Sequence, residues 1–148
     1  MSLLSAAAAP PIAFTVSAVF FVSNAALFQF CAQALPGLPG HLVETYVACE
    51  LLKHLAFSEK GLSLWHYRTQ TNIEVDFILE DRLGQITGIE VKASATVDAK
   101  DFKGLRHLQE TEATIFQRGV VLYGGREVVP FGNNLWAVPL SIWWAGLR

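Results

Sequence analysis

Every charged side chain of this chain, 11 basic and 13 acidic, lies at or after Glu44, and residues 1–40 carry none. That division constrains folding more than any single motif. A chargeless stretch must be covered by protein or by lipid, because exposed apolar surface is driven out of water. The overall composition of 52% hydrophobic and 16% charged residues reflects it, since about a quarter of an ordinary domain is charged. The deficit sits at the front, and the remainder has the balance of a normal globular domain. At 148 residues the chain has room for one such domain with a sizeable core. The expected organisation is therefore an uncharged apolar segment at 1–36 followed by a folded unit at 37–148.

The front segment has several readings. Residues 13–35 are long enough to cross roughly 30 Å of hydrocarbon. Against a membrane span stand Ser17, Ser23, Asn24, Gln29 and Gln33, and the absence of flanking Lys or Arg to set an orientation. A secretory signal lacks its basic start. As a core piece, residues 12–22 read as a buried strand after Pro10-Pro11, and 25–35 as a short helix capped by Ser23-Asn24 and stopped by Pro36-Gly37. An unstructured start is the remaining alternative. Cys31 and Cys49 lack metal-site spacing and read as buried free thiols of a reducing, cytoplasmic compartment. A formal charge of −2 argues against coating nucleic acid by charge alone. No glycine-rich nucleotide-binding motif is present.

After residue 40 the pattern predicts a helix over 40–55 with Val43, Val47 and Leu51 inward and Glu50, Lys53 and His54 off that stripe. Alternation predicts strands over 62–68, 73–79 and 85–93, with turns at 69–72 and 80–84. A helix follows over 98–109, then short strands at 119–123, 127–129 and 135–138. Gly124-Gly125 reads as a hairpin turn, Trp65, Tyr67 and Trp136 as core, and Trp143-Trp144 as a cap on the core. This order indicates an α/β or α+β fold built on one mixed sheet.

The chemistry concentrates on two of these strands. Glu74, Asp76 and Ile78 share one face by alternation, and Glu90 and Lys92 share another. A turn centred near Leu83 sets Phe77 opposite Ile89 and Asp76 opposite Glu90. Carboxylates that close repel unless one is protonated or a cation lies between them. Hard divalent ions favour such oxygen ligands, and a neighbouring ammonium can orient a water. Glu44 projects from the first helix as a further acidic candidate. The plainer reading is a solvated edge of alternating charge, with Arg68 and Glu74 as a surface pair.

Asp76…Glu90-Val91-Lys92 between two helices resembles the D…(D/E)-x-K signature of the PD-(D/E)XK, or restriction-endonuclease-like, superfamily. With Gly40-His41-Leu42-Val43-Glu44, Glu50-Leu51, His66-Tyr67-Arg68 and Gly119-Val120-Val121-Leu122-Tyr123-Gly124, the chain also resembles the domain of unknown function at the C-terminus of predicted prokaryotic AAA+-type ATPases. The resemblance implies a restriction-endonuclease-like mixed sheet flanked by helices over 37–148. It implies Asp76 and Glu90 as ligands of magnesium or manganese, Lys92 as the water-orienting base, and Glu44 as the acidic residue of the first helix. The superfamily's proline before the aspartate is Val75 here. The family's ATPase module has no counterpart in the sequence, so a detached C-terminal part is expected, with a separate ATPase subunit as a partner.

Two functions follow from this resemblance. One is a metal-dependent nuclease on DNA, with Lys100, Lys103 and Arg106 meeting phosphates, helped by Arg118. Asp98, Asp101, Glu110 and Glu112 nearly cancel these charges, so binding is expected to be weak and salt-sensitive. The other is a regulatory or interaction module that keeps the fold without the chemistry.

Overall fold

The computed structural model describes residues 38–58 and 61–146. The expectations for 1–36, including the strand, helix, membrane and Cys31 readings, lie outside the described residues. Helix α1 (Gly40–Phe57) starts after Pro39, whose extended backbone cannot continue a helix backwards, and Pro39 O accepts the first bond from Leu42 N at 3.0 Å. Its buried stripe is Val43, Val47, Glu50 and Leu51. Glu50 therefore corrects the sequence expectation: position 50 shares a helix face with 43 and 47 whatever its polarity. Only 5% of Glu50 is exposed, and the ammonium of Lys53, one turn on, lies 2.6 Å from its Oε1.

Two antiparallel hairpins follow, joining β1 (Ser63–Arg68), β2 (Glu74–Glu80) and β3 (Ile86–Lys92). Each turn has its own chemistry. Asn72 takes the left-handed conformation in the first, which short polar side chains tolerate. In the second, Asp81 Oδ1 accepts from Leu83 N at 2.8 Å and Gln85 N at 2.9 Å, and Gly84 supplies a φ of 74°. The chain then crosses over through a 3₁₀ segment (Ala99–Phe102) and α2 (Lys103–Thr111), where a single helix was expected. Asp98 and Asp101 close a capping box at its start. The remaining elements are β4 (Phe116–Tyr123), β5 (Val129–Gly132), β6 (Leu135–Pro139) and α3 (Leu140–Gly146).

Among the described residues the sheet has six strands in the order β1-β2-β3-β4-β6-β5. β3, β4 and β6 run parallel, while β1, β2 and β5 pair antiparallel with their neighbours. This mixed sheet with helices on both faces is an α/β fold. Gly124-Gly125 is not a hairpin turn, because β4 pairs with β3 and β6 rather than with β5. The segment instead carries the chain past β6 to the sheet edge, pinned by Gly124 N donating to Ser94 O at 2.9 Å.

One face packs under the crossover, where Val75, Ile78, Ile86, Phe102, Leu105 and Leu108 form a core with Val121, Leu135 and Ala137. The other packs under α1 and α3 through Val43, Val47, Leu51, Ile89, Val91, Leu122 and Leu140. Trp65 and Tyr67 are partly buried against the first core and Trp143 against the second. Trp136 departs from expectation, with 41% of its surface exposed. Its neighbours Leu135 and Ala137 point into the crossover core, so alternation turns Trp136 to the opposite face.

Leu105 has no exposed surface, whereas Leu83 on the second turn is 83% exposed. Leu105→Ala is expected to lower stability by about 2–5 kcal/mol, and Leu83→Ala by less than about 0.5 kcal/mol. Urea denaturation with an unchanged m-value measures both.

Candidate functional site

Where β2 and β3 part, the backbone departs from regular pairing on both sides of Asp76. On the β3 side the registered pairs run from Glu80↔Ile86 to Phe77↔Ile89 and stop there. The next facing residues are Asp76 and Glu90, the opposition that the turn centre predicts. Past this point Val91 N bonds to a side chain, Asp76 Oδ2, at 2.8 Å. On the β1 side Trp65 pairs with Ile78 but Tyr67 with Val75, so Asp76 and Phe77 together stand opposite His66. This is a β-bulge, a feature that re-aims side chains. His66 Nδ1 lies 3.2 Å from Asp76 O, as donor in the Nδ1–H tautomer. The bulge breaks the expected alternation, since Val75 and Ile78 enter the same core.

Glu90 is 8% exposed, and its carboxyl interacts with Asp76. Burial, then the Asp76 charge and hydrogen bond, push the Glu90 pKa up to about 8, opposed by the Lys92 ammonium. Near neutral pH Glu90 therefore retains its proton.

Above the pair lies the first turn of α2. A Cβ on Gly104 would sit 2.0 Å from Glu74 O and 3.1 Å from Glu90 Oε1, so only glycine lets the helix approach this closely. An isolated glycine in a helical pattern was the signal for this contact, because it costs about 1 kcal/mol unless packing requires it.

An open cleft of about 240 Å³ runs beside this contact, walled by Glu74, Glu90, Lys92, Lys100, Asp101 and Lys103. Asp76 is not on its wall. The acids of the rim are engaged elsewhere: Glu74 Oε1 is 3.0 Å from Arg68 Nε, and Asp101 Oδ2 accepts from Asp98 N at 2.8 Å. Lys100 Nζ is 3.9 Å from Asp98 Oδ2, while Lys92 and Lys103 form no salt bridge among the described residues. With Glu90 protonated the cleft is cationic and suits an anion.

The structure thus brings together Asp76 and Glu90, and sets Lys92, Lys100 and Lys103 around one cleft. Three other candidates stand apart. Arg106 Nη2 donates to Phe131 O at 2.9 Å and ties α2 to β5. Arg118 lies beside Thr87, toward the opposite end of β4 from the pair formed by Lys92 and Tyr123. Glu44 curls over the start of α1, its Oε1 3.9 Å from where a Gly40 Cβ would be. Among the described residues no third acidic, histidine or cysteine side chain joins the Asp76–Glu90 pair. Two carboxylates with an open side form an oxygen-only donor set. It fits an ion such as magnesium, which takes one or two carboxylates and keeps its waters, better than zinc, which takes three or four protein ligands. No helix among the described residues is long and apolar enough to cross a membrane.

A family profile described as Domain of unknown function (DUF4143) matches residues 39–143. No curated protein and no solved structure matches the chain.

The geometry has two measurable consequences. A carboxyl whose pKa is raised in the fold contributes stability that is complete below about pH 4.5 and is lost as pH rises through about 8. Glu90→Gln cannot ionise and can still donate to Asp76. Its stability relative to the wild type should therefore rise by a few kcal/mol, in order of magnitude, between pH 5 and pH 9 in paired thermal melts. Gly104→Ala should destabilise by about 1–3 kcal/mol, because the obstructing atom is backbone and the helix must shift.

Proposed function

This chain belongs to the family described as Domain of unknown function (DUF4143), and we propose that its cleft is a PD-(D/E)XK-type nuclease site hydrolysing phosphodiester bonds of DNA. The observation that carries this reading is the convergence of Asp76 and Glu90 at the fork between β2 and β3, with Lys92 on the adjoining cleft wall. A carboxylate pair is needed where a polyanion must be brought to a divalent cation, and an adjacent ammonium is needed where a water must be aimed.

In this reading Asp76 and Glu90 hold magnesium or manganese, and Val91 N–H fixes the orientation of the Asp76 carboxylate. The ion, when bound, polarises a phosphoryl oxygen and lowers the pKa of a coordinated water. Lys92, on the cleft wall, would orient the attacking water. Lys103 and Lys100 meet the backbone phosphates, and with so few cations the binding is weak and sensitive to salt. Arg106 and Glu44 have no part in it. The domain acts together with an ATPase, as its resemblance to ATPase C-terminal modules implies, and in the cytoplasm.

Isothermal titration calorimetry with manganese is expected to give a micromolar-to-millimolar affinity, weakened about tenfold or more in Asp76→Asn. Plasmid cleavage should require magnesium or manganese and fall by about 10²–10³ in Lys92→Ala, which retains the ion. If wild-type protein takes up no manganese, or if cleavage persists undiminished in Lys92→Ala, the nuclease reading is wrong. The fold then serves as a non-catalytic module.

A further inference from the structure

The two faces of the sheet are closed to different degrees. Under the crossover, Phe102, Leu105 and Leu108 have no exposed surface, and none of the large apolar side chains most exposed among the described residues belongs to that layer. On the α1–α3 side, Leu42 is 47% exposed, Ile142 46% and Trp136 41%. The strand register shows why. Phe77, Ile89, Val120 and Trp136 form one apolar row across β2, β3, β4 and β6. Burial falls along it, from Ile89 at 4% exposure to half-buried Val120 and then Trp136. A helix about 10 Å across cannot cover six strands spaced about 4.8 Å apart. α1 covers β3, and α3 packs on β4 and β6 around Leu122 and Val138, which leaves Val120 half-buried and Trp136 exposed at the other ends of those strands.

Leu38 packs into the core on this same side. Residue 35 is three positions earlier, within roughly 10 Å of chain. The chargeless stretch 13–35 therefore joins the domain on the side of the sheet where Val120 and Trp136 are incompletely covered. We propose that residues 13–35 pack onto this face of their own chain, over Val120 and Trp136 and against Leu42 and Ile142. Tethering gives the segment a millimolar effective concentration that a second copy does not match. Its Ser17, Ser23, Asn24, Gln29 and Gln33 can find hydrogen-bond partners and water at a protein surface, whereas in hydrocarbon they are costly.

The test uses the full chain and chymotrypsin, which has Phe14, Phe20, Phe21, Phe28 and Phe30 within the segment. Cleavage there is expected to be slow in the wild type. It should quicken about tenfold or more in Trp136→Asp and in Ile142→Asp, since loss of about 1.4 kcal/mol of docking raises the open population that much. Leu83→Asp, on an exposed turn, should leave it unchanged. Equal rates in all four proteins overturn the proposal. Protection that disappears on dilution identifies a second copy as the cover, and protection that appears only with phosphatidylcholine vesicles identifies a bilayer; both overturn it too. Thermal melts by circular dichroism accompany each variant, and Trp136→Ser replaces any aspartate variant that fails to fold.

Discussion

Two carboxyl groups meet where a pair of strands comes apart, and much of the surrounding architecture exists to keep them there. Left to themselves Asp76 and Glu90 would repel. They remain in contact because burial makes a proton cheaper to retain than a second charge. The parting of the strands would orphan the N–H of Val91, and the Asp76 carboxylate takes it up. The bulge opposite His66 gives β2 the extra residue that makes this exchange geometrically available. Gly104 then lets the crossover helix lie directly on the pair. Each feature would be a defect alone, and together they satisfy one another.

Much of this was legible in the sequence because the responsible signals are local. Asp81 and Gly84 mark a tight turn, and a turn centred near Leu83 leaves one register in which Phe77 meets Ile89. Strict alternation then places Asp76 opposite Glu90. The same rule failed one residue further on. A bulge adds a residue without changing composition, so nothing in the string Glu74-Val75-Asp76-Phe77 announces that Val75 will share a core with Ile78.

Other departures came from reading polarity as position. The charge of Glu50 suggests an outward position, yet its helix phase is inside, and Lys53 makes that tolerable. The size of Trp136 suggests a core position, yet its strand phase turns it away from the core that Leu135 and Ala137 enter. Gly124-Gly125 signals a turn but not which strand the chain will join next. Whether β5 pairs with β4 or β6 is decided by long-range parallel pairing that local residue chemistry does not encode. Likewise a cluster of cations on a helix is visible in sequence, but Arg106 is drawn to Phe131 O only because β5 folds back beside it.

Among the described residues the strand order leaves the sheet with two unequal borders. β5 closes one end with four residues, among them Pro130, which has no N–H to offer a newcomer. β1 closes the other with six residues and no proline. Any additional strand, from another chain or from a misfolded neighbour, therefore has one border to extend. That border is the β1–β2 hairpin whose Arg68 and Glu74 stand at the mouth of the cleft. Growth of the sheet and access to the carboxylates are in this way assigned to the same end of the molecule.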